Sequence, residues 1–318
     1  MSPFPPPDTP PNDQKPFRIL TLDGGGSKGM YTLGVLREVE ALAGAPLCEV
    51  FDLIYGTSTG SIIGALLALG HRVDEIHALY MRHVPNIMRH GQACARSQAL
   101  GSLAREVFGT HEFSQVRTGL GIVATNWETE APFLFKSSPQ LGHGRLSTFS
   151  PGFGVLIADA VRASCSAYPF FEKTILDTPA HGRVTLIDGG YCANDPTLYA
   201  MADALAGLQV ERNRLQVLSI GVGTYPDSAS GFLMRLAKRH LISLQLLQKT
   251  LEINTRSMEQ LRSILYRDVL TIRISDVFQR PEMTTSLLEH DPTMLERMHQ
   301  AGRVSFARHE LDVTRLLR

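Results

Sequence analysis

The stretches FRILTLDGGGSKG (residues 17–29) and VFDLIYGTSTGSIIGALLAL (residues 50–69) decide the fold. Each begins with a short apolar run suited to a buried strand, and glycines end each run. The residues that follow, 28–42 and 61–69, carry apolar side chains at helical spacing. Strand, glycine loop and helix, given twice in succession, predict the opening of a parallel α/β sheet.

Apolar runs further along the chain continue this pattern. The predicted strands are 120–125, 133–135, 184–187 and 215–220, and helical spacing covers 74–89, 155–163, 231–265 and 293–317. Residues 91–114 are ambiguous. Because no internal repeat or linker divides the chain, we predict one α/β domain over residues 17–318 with a helical C-terminal portion. The proline-dense residues 1–16 predict a disordered leader.

Composition limits the class of protein. Hydrophobic residues make up 43% of the 318 residues and charged residues 19%, as in ordinary globular domains. Lysine plus arginine equals aspartate plus glutamate, at 31 each, so the chain lacks the basic excess that binds nucleic-acid polymers. The cysteines, Cys48, Cys94, Cys165 and Cys192, form no CxxC pair and predict free thiols in a reducing compartment.

The sequence shows no pattern for export or for crossing a membrane. Residues 1–16 lack the basic and apolar regions of a secretory signal. The longest apolar stretch, Ile62–Leu69, is much shorter than the ~20 residues that span a bilayer. We therefore expect a cytoplasmic protein whose closest approach to lipid is peripheral contact with the inner membrane.

GTSTG at Gly56–Gly60 is a GxSxG sequence between a predicted strand and a predicted helix. The flanking glycines leave room for a tight turn that exposes Ser58 in a strained conformation. The N-terminus of the following helix would bring N–H groups and partial positive charge to an oxyanion. This context favours Ser58 as a nucleophile, although GxSxG alone is equally compatible with a serine that only caps the helix.

A second glycine loop, DGGGSKG at Asp23–Gly29, follows the first strand. Its three successive glycines, Gly24, Gly25 and Gly26, allow a ligand to approach the backbone closely. They can also direct N–H groups at negative charge. An oxyanion hole and a phosphate cradle both need these properties.

The same loop supports an alternative, a nucleotide- or anion-binding α/β module with GGGSKG as its cradle. Gly24, Gly26 and Gly29 fit the GxGxxG pattern of dinucleotide-binding loops. However, the second strand ends at Tyr55 and not at an acidic residue that would bind the ribose. Lys28 precedes the last glycine, unlike the lysine of a Walker A loop. Both points weaken this alternative.

Asp188 begins a DGG sequence, Asp188–Gly190, at the end of the strand predicted over 184–187. The carboxyl ends of parallel strands meet at one edge of a sheet, where ligands bind. We therefore expect Asp188, Ser58 and the glycine loop to converge there. Together they supply a carboxylate base, a nucleophile and backbone N–H donors for acyl transfer. Alone, DGG would indicate an ordinary turn.

These motifs resemble the signature of the patatin-like phospholipases, which have an oxyanion loop DGGGxRG, a nucleophile turn GxSxG and a catalytic DGG or DGA, in that order. The matching sequences are DGGGSKG (residues 23–29), GTSTG (56–60) and DGG (188–190). The resemblance continues in ATN (124–126), RASCSAYPFF (162–171) and SIGVGT (219–224), so it covers about two thirds of the chain.

The resemblance implies a patatin-like α/β fold, a three-layer sandwich with a largely parallel sheet and helices on both faces. It implies a serine carboxylic-ester hydrolase with a Ser58–Asp188 dyad, no cofactor and no metal. The expected oxyanion donors are the N–H groups of Gly25, Gly26 and Thr59, and the supporting motif residues are Gly24, Lys28, Gly29, Gly56, Gly60, Gly189 and Gly190. The family more often has arginine at the position of Lys28, which puts the anchoring of the loop in question.

A dyad without histidine agrees with the residues that follow Asp188. The histidines there, His240, His290, His299 and His309, lie in polar or helical segments, and none follows a strand with a glycine turn. An α/β-hydrolase triad is therefore disfavoured. No cluster of histidines and carboxylates with metal-ligand spacing is evident in the sequence.

The resemblance also implies a substrate and a partner. The substrate would be a membrane glycerophospholipid or another acyl lipid, from which a phospholipase of the A type releases fatty acid. Some bacterial enzymes of this family and compact size resemble antiphage effectors that a cyclic nucleotide activates, so such an activator is an expected partner. The sequence does not give the headgroup, the acyl chain or the oligomeric state.

Three further segments have two interpretations each. Phe133–Phe135 and Tyr168–Phe171 are candidates to line an acyl pocket, and core packing explains them equally well. Residues 232–265 combine apolar and basic side chains. Packing of this helix on the sheet with solvated charges is favoured over contact with an anionic membrane.

Overall fold

A computed structural model of the chain describes residues 15–142, 150–226 and 239–318. Within them, the strands are β1 (Phe17–Leu22), β2 (Leu53–Thr57), β3 (Gly119–Asn126), β4 (Ala131–Lys136), β5 (Ser150–Gly152), β6 (Thr174–Thr178), β7 (Gly182–Asp188), β8 (Leu215–Ile220) and β9 (Leu270–Ile274). All of them join one sheet, in which β5, β4, β3, β2, β1, β8 and β9 lie side by side in that order.

The centre of the sheet is parallel. β1 pairs in parallel with both β2 and β8, β2 pairs in parallel with β3, and β8 does so with β9. β4 runs antiparallel to β3, and the hairpin of β6 and β7 also enters the sheet antiparallel to β3. β4 and β5 pair in parallel at the edge.

Helices cover both faces of this sheet. In chain order they are α1 (Gly29–Ala43), α2 (Leu47–Val50), α3 (Thr59–Leu69), α4 (Val73–Arg89), α5 (Ala93–Phe108), α6 (Ile157–Ser164), α7 (Gly190–Ala193), α8 (Thr197–Ala202), α9 (Arg239–Leu265) and α10 (Pro292–Leu317). Side chains alternate along β1, so that Ile19 belongs to one apolar core, whereas Leu20 and Leu22 belong to the core on the other face. None of the helices in the described ranges is long and apolar enough to cross a membrane.

β2 and β7 both pair with the same edge of β3, β2 along its first part and β7 along its last part. Thr57, the last residue of β2, pairs with Val123. Asp188, the last residue of β7, pairs with the next residue of β3, Ala124. β2 and β7 therefore approach from opposite directions and end against consecutive residues of one strand.

The α/β class, the largely parallel sheet and the helices on both faces are confirmed. Asp188 lies at the end of a strand as expected, and that strand, β7, runs antiparallel to β3. The predicted strand over 50–55 begins only at Leu53, since the preceding residues form the short helix α2. Strands β5, β6 and β9 were not predicted, and the ambiguous region 91–114 contains α5.

Two expectations fall outside the described residues in whole or in part. The leader expected over residues 1–16 is described only from residue 15, and the helix expected over 231–265 only from residue 239, where α9 begins.

Candidate active site

Ser58 lies in the turn between β2 and α3 in a conformation that few non-glycine residues adopt, with φ 52° and ψ −122°. The turn is held tightly by its two glycines. A Cβ on Gly56 would come within 2.3 Å of the Gly60 carbonyl oxygen, and one on Gly60 within 2.2 Å of the Leu22 carbonyl oxygen. The GxSxG spacing thus follows from backbone contact, and strain of this kind is typical of functional sites.

Asp188 is the hydrogen-bond partner of Ser58. The Ser58 hydroxyl donates to Asp188 Oδ2 at 2.6 Å, and the Gly190 N–H donates to Oδ1 at 2.7 Å. Burial raises the pKa of Asp188 to about 6, although these two hydrogen bonds lower it. Oδ2 therefore combines contact with the serine and a basicity well above that of an ordinary aspartate.

Ser164, at the end of α6, connects the turn that holds Ser58 with the turn that follows Asp188. Its hydroxyl accepts from the Ser58 N–H at 2.8 Å and donates to the Val123 carbonyl at 2.6 Å. Its own carbonyl accepts from the Gly189 N–H at 3.2 Å. Gly189 leaves no room for a side chain, since a Cβ there would lie 2.1 Å from the Val123 carbonyl oxygen. Ser164 lies in the RASCSAYPFF segment (residues 162–171), but the sequence pattern alone does not indicate this role.

The glycine loop after β1 lies against the nucleophile turn. A Cβ built on Gly24 would lie 3.1 Å from the Ser58 Cβ. The Gly24 N–H donates to the Asn194 carbonyl at 3.1 Å, whereas those of Gly25 and Gly26 donate to no residue in the described ranges. Gly25 and Gly26 line the same cleft as Ser58.

Thr59 begins α3 directly after the nucleophile. Its hydroxyl lies 2.8 Å from the Tyr80 hydroxyl, which donates to the Thr59 carbonyl at 2.9 Å. Gly29 packs against it, because a Cβ on Gly29 would approach the Thr59 hydroxyl oxygen to 2.5 Å. The first N–H of α3 thus lies in a firmly held turn at the positive end of the helix.

The loop is anchored by a charge pair that sequence analysis did not find. Arg273 on β9 donates to Asp23 Oδ1 at 2.8 Å and to Oδ2 at 2.5 Å, and also to the Ser219 hydroxyl at 2.7 Å. Asp23 and Arg273 are 250 residues apart, so no local pattern links them. Lys28, whose anchoring role was in question, is buried with its ammonium 5.3 Å from the centre of the Tyr225 ring.

α9 also supports the loop. The side chains of Asn254 and Thr255 accept hydrogen bonds from the N–H and the side-chain amide of Asn194, whose carbonyl in turn accepts from Gly24. Leu247 and Leu251 of the same helix are buried, in agreement with packing against the domain. Several apolar side chains on its other side are exposed, namely Leu246, Ile253, Leu261, Ile264 and Leu265.

An apolar cleft that is open to solvent lies beside Ser58 and Asp188, and its empty space together with the solvent at its mouth amounts to about 890 Å³. Its walls come from α3, α4, α5, α9 and the loop after α6, and the lining includes Leu66, Ile87, Leu103, Phe170, Phe171 and Leu251. The aromatic segment 168–171 thus contributes to the cleft through two of its residues. Phe133 and Phe135 do not line it and are buried in the core.

Histidine does not contact the Ser58–Asp188 pair in the described part of the chain. The carboxylate of Asp188 accepts hydrogen bonds there only from Ser58 and Gly190. His290 and His299 contact groups elsewhere, and the side chain of His240 lies outside the described residues. Contrary to the sequence expectation, however, His77, Glu296 and His299 form a cluster with metal-ligand chemistry, outside the residues that line the cleft.

Comparisons with known proteins agree with these motifs. A family model described as patatin-like phospholipase matches residues 20–201. The chain is similar to an Escherichia coli protein named cUMP-AMP-activated phospholipase, with 57% identity over 300 residues. The match covers 94% of this chain and 93% of the Escherichia coli protein. It is 26% identical to the cGAMP-activated phospholipase of Pseudomonas aeruginosa, over 68% of this chain and 65% of that one. Among solved structures, that of human GIVD cytosolic phospholipase A2 aligns with a TM-score of 0.48 and 11% sequence identity. The alignment covers 95% of this chain and 60% of the human chain.

Proposed function

The chain belongs to the patatin-like phospholipase family, and from this premise we propose that it hydrolyses fatty-acyl esters of glycerophospholipids with Ser58 as nucleophile and Asp188 as base. The observation that carries the proposal is the 2.6 Å hydrogen bond from the strained Ser58 to Asp188 at the wall of an apolar cleft. Such a cleft suits an acyl chain, because burial of each methylene contributes about 0.8 kcal/mol.

In the first half of the reaction, Ser58 Oγ attacks the ester carbonyl carbon while its proton passes to Asp188 Oδ2. The carbonyl oxygen becomes an oxyanion that accepts hydrogen bonds from the N–H groups of Gly25, Gly26 and Thr59. When the intermediate collapses, the lysophospholipid alkoxide leaves and takes the proton from Asp188. An acyl ester on Ser58 remains.

The second half uses the same groups with water as the nucleophile. Asp188 takes a proton from the water as its oxygen attacks the acyl ester, and the oxyanion again lies at the glycine loop. Collapse releases the fatty acid and returns the proton to Ser58. The dyad therefore needs the Asp188 carboxylate ionised at the start of each half, which its pKa of about 6 allows at neutral pH.

The alternative use of GGGSKG as a phosphate cradle has less support. The Lys28 ammonium lies over Tyr225 and not among the residues that line the cleft. The Gly24 N–H already donates to Asn194. Two of the groups that a cradle would direct at a phosphate are therefore engaged elsewhere.

Activation by a cyclic dinucleotide is part of the same proposal. The support is the relative with 57% identity over 94% of the chain, whose name states activation by cUMP-AMP, and the more distant one whose name states activation by cGAMP. The enzyme would act in the cytoplasm at the inner face of the membrane, in defence against phage. Restraint until an activator binds would protect the membrane of the host cell.

The test of the dyad is labelling of the purified protein with a fluorophosphonate, located by mass spectrometry, with and without cUMP-AMP and cGAMP. We expect an adduct on Ser58 that Ser58→Ala abolishes and Asp188→Asn greatly reduces. Asp177→Asn is the matched control, because Asp177 is exposed on β6. Labelling of another serine in the Ser58→Ala protein, or full labelling of Asp188→Asn, would contradict the dyad.

The test of activation is fatty-acid release from vesicles of a fluorogenic glycerophospholipid. A cyclic dinucleotide should raise release by the natural sequence, and Ser58→Ala should bind the same nucleotide without hydrolysis. If no cyclic dinucleotide raised release above the level measured without one, activation would be contradicted. The proposal for the dyad would remain.

A further inference from the structure

A second cluster of reactive side chains lies between α4 and the C-terminal helix α10. His77 of α4 meets Glu296 and His299 of α10, and one candidate ligand atom from each lies within 4.8 Å of the others. His77 Nε2 is 3.6 Å from Glu296 Oε2, and His299 Nδ1 is 3.6 Å from Glu296 Oε1. The two imidazole rings are 4.3 Å apart between centres.

His299 is the feature that ordinary packing leaves unexplained. Its side chain is 1% exposed, and neither ring nitrogen has a hydrogen-bond partner among the described residues. His77 Nε2 is also buried without such a partner there. A buried polar atom without a partner destabilises a fold, so such groups call for a ligand or another explanation.

We propose that His77, Glu296 and His299 bind a divalent transition-metal ion of the zinc class as three protein ligands. Two imidazole nitrogens and one carboxylate oxygen form a donor set that zinc prefers. The spacing of Glu296 and His299, three residues apart on α10, puts both on one face of the helix. Ligand atoms about 2.0–2.1 Å from one zinc ion are about 3.3 Å apart in a tetrahedral site, slightly closer than the 3.6 Å contacts of Glu296 with the two histidines.

The surroundings suit such a site. The Gln300 side-chain amide donates to Glu296 Oε1 at 2.8 Å, as outer-shell partners of ligating carboxylates do. The nearby arginines are paired with other carboxylates, Arg303 with Glu38 at 2.5 Å and Arg37 with Asp74 at 3.4 Å.

The metal would connect α4, which lines the cleft, with the C-terminal helix α10, which does not. α4 contributes Tyr80 to the cleft and to the contact with Thr59, whereas α10 packs along α1, where Gly34 touches the His299 carbonyl. A bound ion would therefore hold the α4 wall of the cleft to the C-terminal helix. The site is structural in this proposal and takes no part in ester hydrolysis.

The experiment titrates the chelator-treated full-length protein with Zn²⁺ by calorimetry and with Co²⁺ by visible absorption. We expect one ion per chain and the intense visible bands of a four-coordinate Co²⁺ site. His77→Gln and Glu296→Gln should each weaken binding more than about tenfold and remove the bands. Both side chains are partly exposed, so these variants test the site without emptying the core.

His71→Gln is the matched control. His71 also pairs with a glutamate, at 3.2 Å from Glu75, but it has no third ligand and should leave binding unchanged. At a hundredfold excess over its dissociation constant, Zn²⁺ should raise the Tm of the natural sequence by about 4 °C and that of His77→Gln hardly at all. Absence of stoichiometric binding, or equal binding by His77→Gln and the natural sequence, would overturn the proposal.

Discussion

The ends of β1 and β7 carry two buried aspartates that have different hydrogen-bond partners. Asp23 and Asp188 are each 2% exposed, each follows an apolar strand, and each precedes glycines. Burial raises the pKa of both carboxyls. Both oxygens of Asp23 accept from Arg273, whereas Asp188 Oδ2 accepts from the hydroxyl of Ser58.

The difference teaches that a raised pKa alone does not identify a general base. Asp23 has no oxygen left to receive a proton from a substrate or a nucleophile, since Arg273 occupies both. Asp188 has one oxygen on a backbone N–H and one on the reacting group. Where burial and sequence context look alike, the hydrogen-bond partners therefore favour Asp188 over Asp23 as the proposed base.

The largest expected effect is that of Asp188→Asn on turnover. Removal of the base should lower kcat about 10⁴-fold, with KM nearly unchanged, because the amide keeps the shape of the site but cannot take the proton. Steady-state hydrolysis of a soluble ester by the activated enzyme measures this. A loss of less than tenfold would mean that Asp188 positions Ser58 without acting as a base.

Asp23→Asn should affect both stability and turnover. Arg273 would lose both of its short contacts with Asp23 and keep only the longer one with buried Asp195, at 3.9 Å, which costs about 3 kcal/mol of unfolding free energy. Displacement of the glycine loop should also lower kcat about 10²-fold. Urea unfolding and steady-state kinetics test the two parts separately.

The matched variant combines Asp23→Asn and Asp195→Asn with Arg273→Met, which removes the buried cation together with both carboxylates beside it. It should recover part of the stability but little of the turnover, because the loop still lacks its anchor. An Asp23→Asn protein of natural stability would refute the comparison between the two carboxylates.

The pH dependence sharpens the comparison further. With a pKa of about 6, Asp188 is protonated and inactive at low pH, so kcat/KM should rise through pH 6 to a plateau. At pH 5 it should lie about tenfold below the plateau. A stopped assay over pH 4.5–8 would show this, and a midpoint near pH 4 would contradict burial as the source of basicity.

The raised pKa of Asp188 also predicts that replacing this carboxyl with an uncharged amide increases the free energy of unfolding at neutral and higher pH. The folded pKa of Asp188 is above its ordinary value of 3.8, so the carboxyl favours the folded state most at low pH. This contribution is lost as the pH rises to about 6. Asp188→Asn should therefore be more stable than the natural sequence by about 3 kcal/mol at pH 8 and by a smaller margin at pH 5. Equal stabilities at pH 8 would argue against the raised pKa.

The smallest expected effect is that of Ser164→Ala. It removes the hydroxyl between the Ser58 N–H and the Val123 carbonyl, while the backbone bond to Gly189 remains. Loss of this bridge should lower kcat about fivefold and stability by about 2 kcal/mol. Ser102→Ala, on the exposed side of α5, is the control for the loss of a hydroxyl.

The sequence allowed much of the fold and the candidate site to be predicted because the relevant patterns are local. The glycines of GTSTG and DGGG interrupt apolar runs, and their positions follow from contacts within one turn. The direction of β7 could not be predicted in this way, since it depends on the hairpin with β6 and on pairing with β3. Arg273 and His77 were also missed, because their partners lie more than 200 residues away. The spacing of Glu296 and His299 was a local pattern that could have been noticed.

Because β2 and β7 both end on β3, the pairing register of β3 determines the distance between Ser58 and Asp188. Ser58 and Asp188 are 130 residues apart in sequence, yet their separation in space is set by the single step from Val123 to Ala124. Evolution can lengthen or shorten the loops between the two turns without disturbing the chemistry. One residue inserted at this step of β3 would move the base about 3.3 Å and reverse the face of every residue beyond it.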